Sequence, residues 1–172
     1  MILSTIYPFS TTWQDYPDSE SLAVAIYILG CRHNCYGCSN KELQKFTHPK
    51  AKLFTLEPFI KEVKKALYEN KTNKLVLLGG DALHPTNIKF IKAFLECVGS
   101  EIEVCIYTGH NLHWVQKNKV KGFKFIKCGK YRKDLKQESK KTDNYIQLAS
   151  TNQELYDRDM KLISKNGKYD FK

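Results

Sequence analysis

The stretch Ser21-Leu22-Ala23-Val24-Ala25-Ile26-Tyr27-Ile28-Leu29-Gly30-Cys31-Arg32-His33-Asn34-Cys35-Tyr36-Gly37-Cys38-Ser39-Asn40 decides how this chain reads. Its first nine residues, 21–29, are apolar and partly β-branched, which predicts a strand buried on both faces. The strand runs directly into a loop that carries Cys31, Cys35 and Cys38 within eight residues. In parallel α/β proteins the loops that follow the strands carry the chemistry.

Working outward, strands and helices alternate. Residues 55–69 read as a helix with Thr55 as N-cap, Pro58 in the first turn, and Leu56, Phe59, Ile60, Val63 and Leu67 at helical spacing. Residues 74–78 form a second apolar strand, closed by Gly79-Gly80-Asp81, where glycines allow close approach of the backbone to a ligand. A helix over 86–97 follows, then a third strand over 102–107 closed by Thr108-Gly109. A weaker helix spans 111–119, and a fourth strand, 123–128, is closed by Gly129. Residues 145–148 suggest an added strand. The tail from Glu154 starts with a helical pattern that fades after Ile163, and Asn166-Gly167 marks a turn.

Strand, helix, strand in this order predicts a parallel sheet with crossovers. A closed eight-fold barrel needs ~250 residues, and at roughly 30 residues per βαβ unit this chain has room for about four to six units. The expected fold is therefore α/β, a partial (β/α) barrel with a mostly parallel sheet. With 172 residues, 1–172 is expected to form a single domain with its core over about 22–153 and an extension over 154–172. The cysteine loop, Gly79-Gly80-Asp81, Thr108-Gly109 and Gly129 all fall on one rim of such a sheet.

Composition is ordinary for a globular protein, with 42% hydrophobic and 27% charged residues. The longest apolar run is 22–29, well short of the ~18–20 residues of a membrane span, so no membrane partner is expected. The first residues, Met1-Ile2-Leu3-Ser4-Thr5, show no export signal, and a cytoplasmic location is expected. Six cysteines in such a chain argue against a disulfide framework, and Cys97, Cys105 and Cys128 read as buried small hydrophobes. Net charge is +10, concentrated where eleven Lys and Arg between Lys117 and Lys141 face only Asp134 and Glu138. This field suits solvation or docking of an acidic protein surface. No aromatic-interleaved RNA motif or zinc-finger spacing accompanies it, so nucleic acid is not an expected partner.

Thiolates are soft ligands for iron–sulfur clusters and zinc. Structural zinc wants a closed tetrahedron, often from two separated pairs. Cys35-x2-Cys38 offers one pair, and His110-x2-His113 is spaced like a half-site beyond two further strands. A redox pair at Cys35 and Cys38 would normally open a helix without a third cysteine nearby. Clusters usually take four cysteines, and this loop has three. A site-differentiated 4Fe–4S cluster accounts for the shortfall, with Cys31, Cys35 and Cys38 on three irons and the fourth iron open to a chelating ligand.

This spacing resembles the radical S-adenosylmethionine (SAM) superfamily. The resemblance narrows with Cys31, His33, Cys35, Gly37, Cys38 and Asn40, which fit C-x-H-x-C-x-G-C-x-N. That pattern is similar to the activating proteins of anaerobic ribonucleoside-triphosphate reductase. Residues 78–87 (LGGDALHPTN), Tyr107-Thr108-Gly109, Cys128-Gly129-Lys130-Tyr131 with Asp134-Leu135, and Ala149-Ser150-Thr151-Asn152-Gln153 resemble later elements of the same family. The resemblance runs from about Leu22 to Gln153. Departures are the absence of a Gly-Pro-Gly and an Arg in 11–18, Ala82 in place of a common proline, Cys128 in place of a common aspartate, and a longer tail.

The resemblance implies a radical SAM type of fold and two cofactors, a 4Fe–4S cluster and SAM. It implies that Cys31, Cys35 and Cys38 ligate the cluster and that the reduced cluster cleaves SAM to a 5′-deoxyadenosyl radical. Gly37, Cys38 and Ser39 would lie against SAM. Gly80 would approach its methionine end, with Gly79 and Asp81 shaping that wall, and Thr108 and Gly109 would line the ribose side. His33 and Asn40 would brace the loop by hydrogen bonds. No catalytic side chain beyond the cluster and SAM is implied. The implied partners are the large subunit of anaerobic ribonucleoside-triphosphate reductase, as acceptor of a glycyl radical, and a low-potential donor such as flavodoxin. The basic stretch 117–141 is a candidate docking surface for the reductase. Two alternatives stand beside this: a radical SAM enzyme acting on a small molecule, such as a deazapurine synthase, and a zinc-stabilised binding module.

Overall fold

The computed structural model describes residues 1–18 and 22–171. Its strands and helices, in chain order, begin with β1 (Leu3–Ile6), β2 (Ser10–Thr12), β3 (Ala23–Ile28), β4 (Ala51–Phe54), α1 (Leu56–Glu69) and β5 (Lys74–Gly79). There follow α2 (Ile88–Val98), β6 (Glu103–Tyr107), α3 (Leu112–Lys117) and β7 (Phe125–Cys128). The chain closes with β8 (Lys140–Lys141), β9 (Tyr145–Gln147), β10 (Glu154–Asp157) and β11 (Lys168–Asp170). Ser21, the first residue of the expected strand, lies outside the described residues.

Four strands form the parallel centre. β3 pairs with β5, β5 with β6, and β6 with β7, each in parallel register. This is the mixed α/β architecture with a mostly parallel central sheet. Antiparallel strands flank it: the full order is β10-β7-β6-β5-β3-β1-β4, with β2 also on β3. β8, β9 and β11 form a second, three-stranded sheet.

Strand alternation sorts side chains to two faces. Val24, Ile26, Ile28, Leu75, Leu77, Val104, Ile106 and Ile126 point to one face, where they meet Phe59 and Val63 of α1, Phe90, Ile91 and Phe94 of α2, and Val115 of α3. The helices described therefore all pack on this one face. Phe59 is its hub, with ring centroids 5.7 Å from Phe54, 5.4 Å from Phe90 and 5.1 Å from Phe94. Ala23, Ala25, Val76, Leu78 and Cys105 point to the opposite face, covered by Tyr16. Phe125, on that face, lies 6.5 Å from the Tyr169 ring of β11.

Several expectations are corrected. The tail does not start as a helix: residues 154–157 form β10, antiparallel to β7, with Leu155 paired to Lys127 and Tyr156 to Ile126. The open edge of β7 offers a ladder of unpaired backbone groups, and that overrides a weak helical period. Cys97 is exposed, while Cys105 and Cys128 are buried. On α2 the buried arc holds Phe90, Ile91, Phe94, Leu95 and Val98, and Cys97 falls just past its edge. The flanking strands β1, β2 and β4 had no counterpart in the sequence reading. The Asn166-Gly167 turn is present, with φ of 49° and 68°, and joins a bridge between Lys165 and Lys168.

Candidate functional site

Because β3, β5, β6 and β7 run parallel, their C-terminal ends share one edge of the sheet. The cysteine loop leaves β3 there and is held down at once. Gly30 donates its N–H to Leu43 O at 2.9 Å and Cys31 donates to Gln44 O at 3.0 Å, which pairs the loop with a short 3-10 turn, Lys41–Gln44. The Cys38 N–H closes a turn on Cys35 O at 3.2 Å.

Two sulfurs in the loop accept a backbone N–H: Cys31 Sγ from His33 at 3.5 Å and Cys38 Sγ from Asn40 at 3.4 Å. All three thiols are free and partly buried. Burial pushes the Cys31 thiol up to about 11 and raises Cys35, with repulsion between neighbouring sulfurs adding to both. A bound cation reverses that balance and deprotonates coordinating thiols outright. N–H donors to sulfur are also one of the features that tune iron–sulfur sites. The donor set thus fits a thiolate-ligated metal cluster. Cys31 Sγ additionally lies with donor atoms of His33 and Asp81 in a group whose members are all within 4.8 Å of one another.

Asp81 follows β5 and is 1% exposed. Its Oδ2 is 2.5 Å from His33 Nε2, and its Oδ1 accepts the Leu83 N–H at 2.9 Å. Asn40 Nδ2 donates to Gly79 O at 3.4 Å. His33 and Asn40 therefore tie the loop to the tip of β5. The glycines at the rim serve the same approach. A Cβ on Gly80 would stand 2.6 Å from Leu43 O and 2.7 Å from Gly30 O, and one on Gly109 would collide with the His33 ring.

The remaining predicted residues are spread along this rim. Thr108 is buried, donates its N–H to Lys127 O at 2.9 Å, and accepts the His110 N–H on Oγ1 at 3.2 Å. Gly37 packs against the aliphatic stem of Lys133, and Tyr36 beside it is 78% exposed with Lys133 Nζ 4.9 Å from its ring centroid. Ser39 is exposed at the loop's end. Ser150, Asn152 and Gln153 brace the segment after β7: Gln153 Nε2 donates to Gly129 O at 3.3 Å and Asn152 Nδ2 to Lys130 O at 2.9 Å.

His110 and His113 do not converge. His113 is exposed, whereas His110 stacks on Trp114 at 3.5 Å between centroids and meets the edge of His33 at 4.5 Å. Burial drives the His110 imidazole down to about 4, so it is neutral at physiological pH. Sequence reasoning singled out His110 for a zinc half-site and missed its place beside His33 and Asp81; its position directly after Thr108-Gly109 was the available signal. It also missed Lys127. This lysine sits on the inner face of the sheet with Nζ 4.1 Å from the Tyr107 ring centroid, and burial lowers its pKa to about 8.

An eight-residue loop with three free cysteines at the rim of a parallel sheet offers three soft donors to a metal or cluster, and comparison with known families says which. The 4Fe-4S single cluster domain model matches residues 19–156, and the chain belongs to that family. Among curated proteins it is similar to the anaerobic ribonucleoside-triphosphate reductase-activating protein of Enterobacteria phage T4, 29% identical over 125 residues, or 70% of this chain and 78% of the phage protein. It is also similar to the proteins of that name from Salmonella typhi, 27% identical over 134 residues (71% and 82%), and Escherichia coli K12, 25% identical over 137 residues (73% and 84%). No helix among the described residues is long and apolar enough to cross a membrane.

Proposed function

We propose that this chain is a glycyl-radical activase: a radical SAM oxidoreductase that prepares anaerobic ribonucleotide reductase for catalysis. The observation that carries the reading is the set of three free cysteines, two of them with a sulfur receiving a backbone N–H, at the C-terminal rim of the parallel strands. The relatives' shared name supports the target. Cys31, Cys35 and Cys38 hold a 4Fe–4S cluster in this reading. When bound, such a cluster supplies one low-potential electron for reductive cleavage of the SAM sulfonium.

The chain's own residues bind and orient. Backbone at Gly37, Cys38 and Ser39 would lie against SAM, Gly79 and Gly80 would shape the wall at its methionine end with Asp81 fixing that turn from within the protein, and Thr108 and Gly109 would line the ribose side. The confinement of the helices to one face of the sheet supports an open, partial barrel, whose uncovered rim admits a loop of the reductase. Residues 1–172 act as one domain in this proposal, in the cytoplasm, with electrons from a flavodoxin-like donor and the basic stretch 117–141 as the reductase's dock.

The test is anaerobic reconstitution with iron and sulfide, followed by reduction in the presence of SAM. Formation of 5′-deoxyadenosine and methionine, and a glycyl-radical doublet by electron paramagnetic resonance once the reductase is added, is the expected result. Deoxyadenosine without a doublet would move the chain to small-molecule radical chemistry. Absence of a cluster would overturn the reading altogether.

A further inference from the structure

Both carboxylate oxygens of Asp81 are engaged within the protein. Oδ2 meets His33 Nε2 at 2.5 Å and Oδ1 takes the Leu83 N–H at 2.9 Å. His110 Nε2, the next nearest cation-capable atom, is 3.9 Å from Oδ2, beyond hydrogen-bond range. The backbone of Asp81 is tied as well: its N–H donates to Gly30 O at 2.8 Å and its carbonyl accepts Asn87 Nδ2 at 3.1 Å.

His33 is fixed at both ends. Its ring reaches Asp81, and its backbone N–H reaches Cys31 Sγ at 3.5 Å. The ring is seated against Gly109 and edge-on to His110, and the side chain is 8% exposed. An irregular loop with few backbone bonds of its own keeps one shape only where outside contacts fix it. A buried carboxylate, for its part, is costly without a partner.

We propose that Asp81 is a positioning residue: acting through His33, it latches the loop of Cys31, Cys35 and Cys38 to the tips of β5 and β6 and holds it in ligating shape before any metal arrives. This deepens the cluster reading above and rests on it. It gives the acid of the Gly79-Gly80-Asp81 turn a task on the protein rather than on the methionine end of SAM. Preorganised ligands held by such outer partners bind metal more tightly than a mobile loop does.

The test compares Asp81→Asn, His33→Leu and His33→Gln, the last because its amide nitrogen stands where the imidazole Nε2 stood. In cluster-free protein, hydrogen exchange of amides 31–40 should quicken ~10-fold in Asp81→Asn and His33→Leu, stay unchanged in α1 and α2, and be largely restored in His33→Gln. In reconstituted protein, the same two variants should lose iron to a chelator ~10-fold faster, while SAM affinity changes less than about threefold. Unaltered exchange with a large loss of SAM affinity would overturn the proposal and make Asp81 a direct ligand. Faster exchange throughout the molecule, not rescued by His33→Gln, would reduce the pair to general stability. If Asp81→Asn does not fold, the two His33 variants decide. If wild-type protein takes up no cluster, the activase reading falls, while the exchange arm still decides the latch.

Discussion

The two faces of the central sheet follow different rules. The helix-covered face is a continuous apolar surface, with Phe59 ringed by Phe54, Phe90 and Phe94 and with Ile26, Leu77 and Ile106 wholly buried beneath. The inner face has small residues at its base, Ala23 and Ala25, and polar ones toward the rim. There the Tyr107 hydroxyl donates to Asp15 O at 2.7 Å, and Lys127 stands over the Tyr107 ring with its pKa lowered by burial. A half-buried amine and phenols against small aliphatics are a poor way to gain stability. The difference teaches that stability is concentrated on the helical side, while the inner side and the rim above it are free to serve ligands.

The contrast can be challenged by substitution. The largest effect belongs to the rim. Cys35→Ala should abolish iron retention after anaerobic reconstitution, with far-ultraviolet circular dichroism unchanged; a full iron complement in that variant would remove Cys35 from the ligand set. On the helical face, Phe59→Ala should cost about 3–5 kcal/mol in urea unfolding, the range for truncating a fully buried aromatic. A cost below ~1 kcal/mol would show that the ring cluster is not the hub of the core.

On the inner face the sign should reverse. Lys127 has a folded-state pKa of about 8 against an ordinary 10.5. Below pH 8 the unfolded chain holds its proton more tightly than the folded one, so the charged lysine destabilises the fold. Lys127→Met should therefore raise the thermal midpoint at pH 7, and the gain should shrink as pH rises from 8 to 10.5. A gain independent of pH would trace instead to packing. The smallest effect is expected for Tyr107→Phe, which removes the bond to Asp15 O and should cost ~1 kcal/mol.

Legibility followed the same division. β3, β5, β6 and β7 were readable because strands buried on both faces need uninterrupted apolar runs, such as AVAIYI and KLVLLG. β2, with the sequence STT and largely exposed, carries no such run, and its pairing with Ala23–Ala25 is set by the partner strand. β10 likewise owes its conformation to β7. Cys97 was misplaced because a period of 3.6 leaves residues at the margin of a buried arc undecided until the neighbouring elements are known.

The cysteine spacing and the order of parallel strands were determined by the sequence itself, because ligand softness is a property of the side chain and a three-sulfur loop is local. The linkage of His33 to Asp81, 48 positions away, belongs to the tertiary structure alone. So does the demand for glycine at Gly80 and Gly109, where the crowding atoms come from Gly30, Leu43 and His33. Contacts of that kind exist only after the strands have aligned their ends, since packing distance, and not distance along the chain, sets what a buried carboxylate or a missing Cβ can meet.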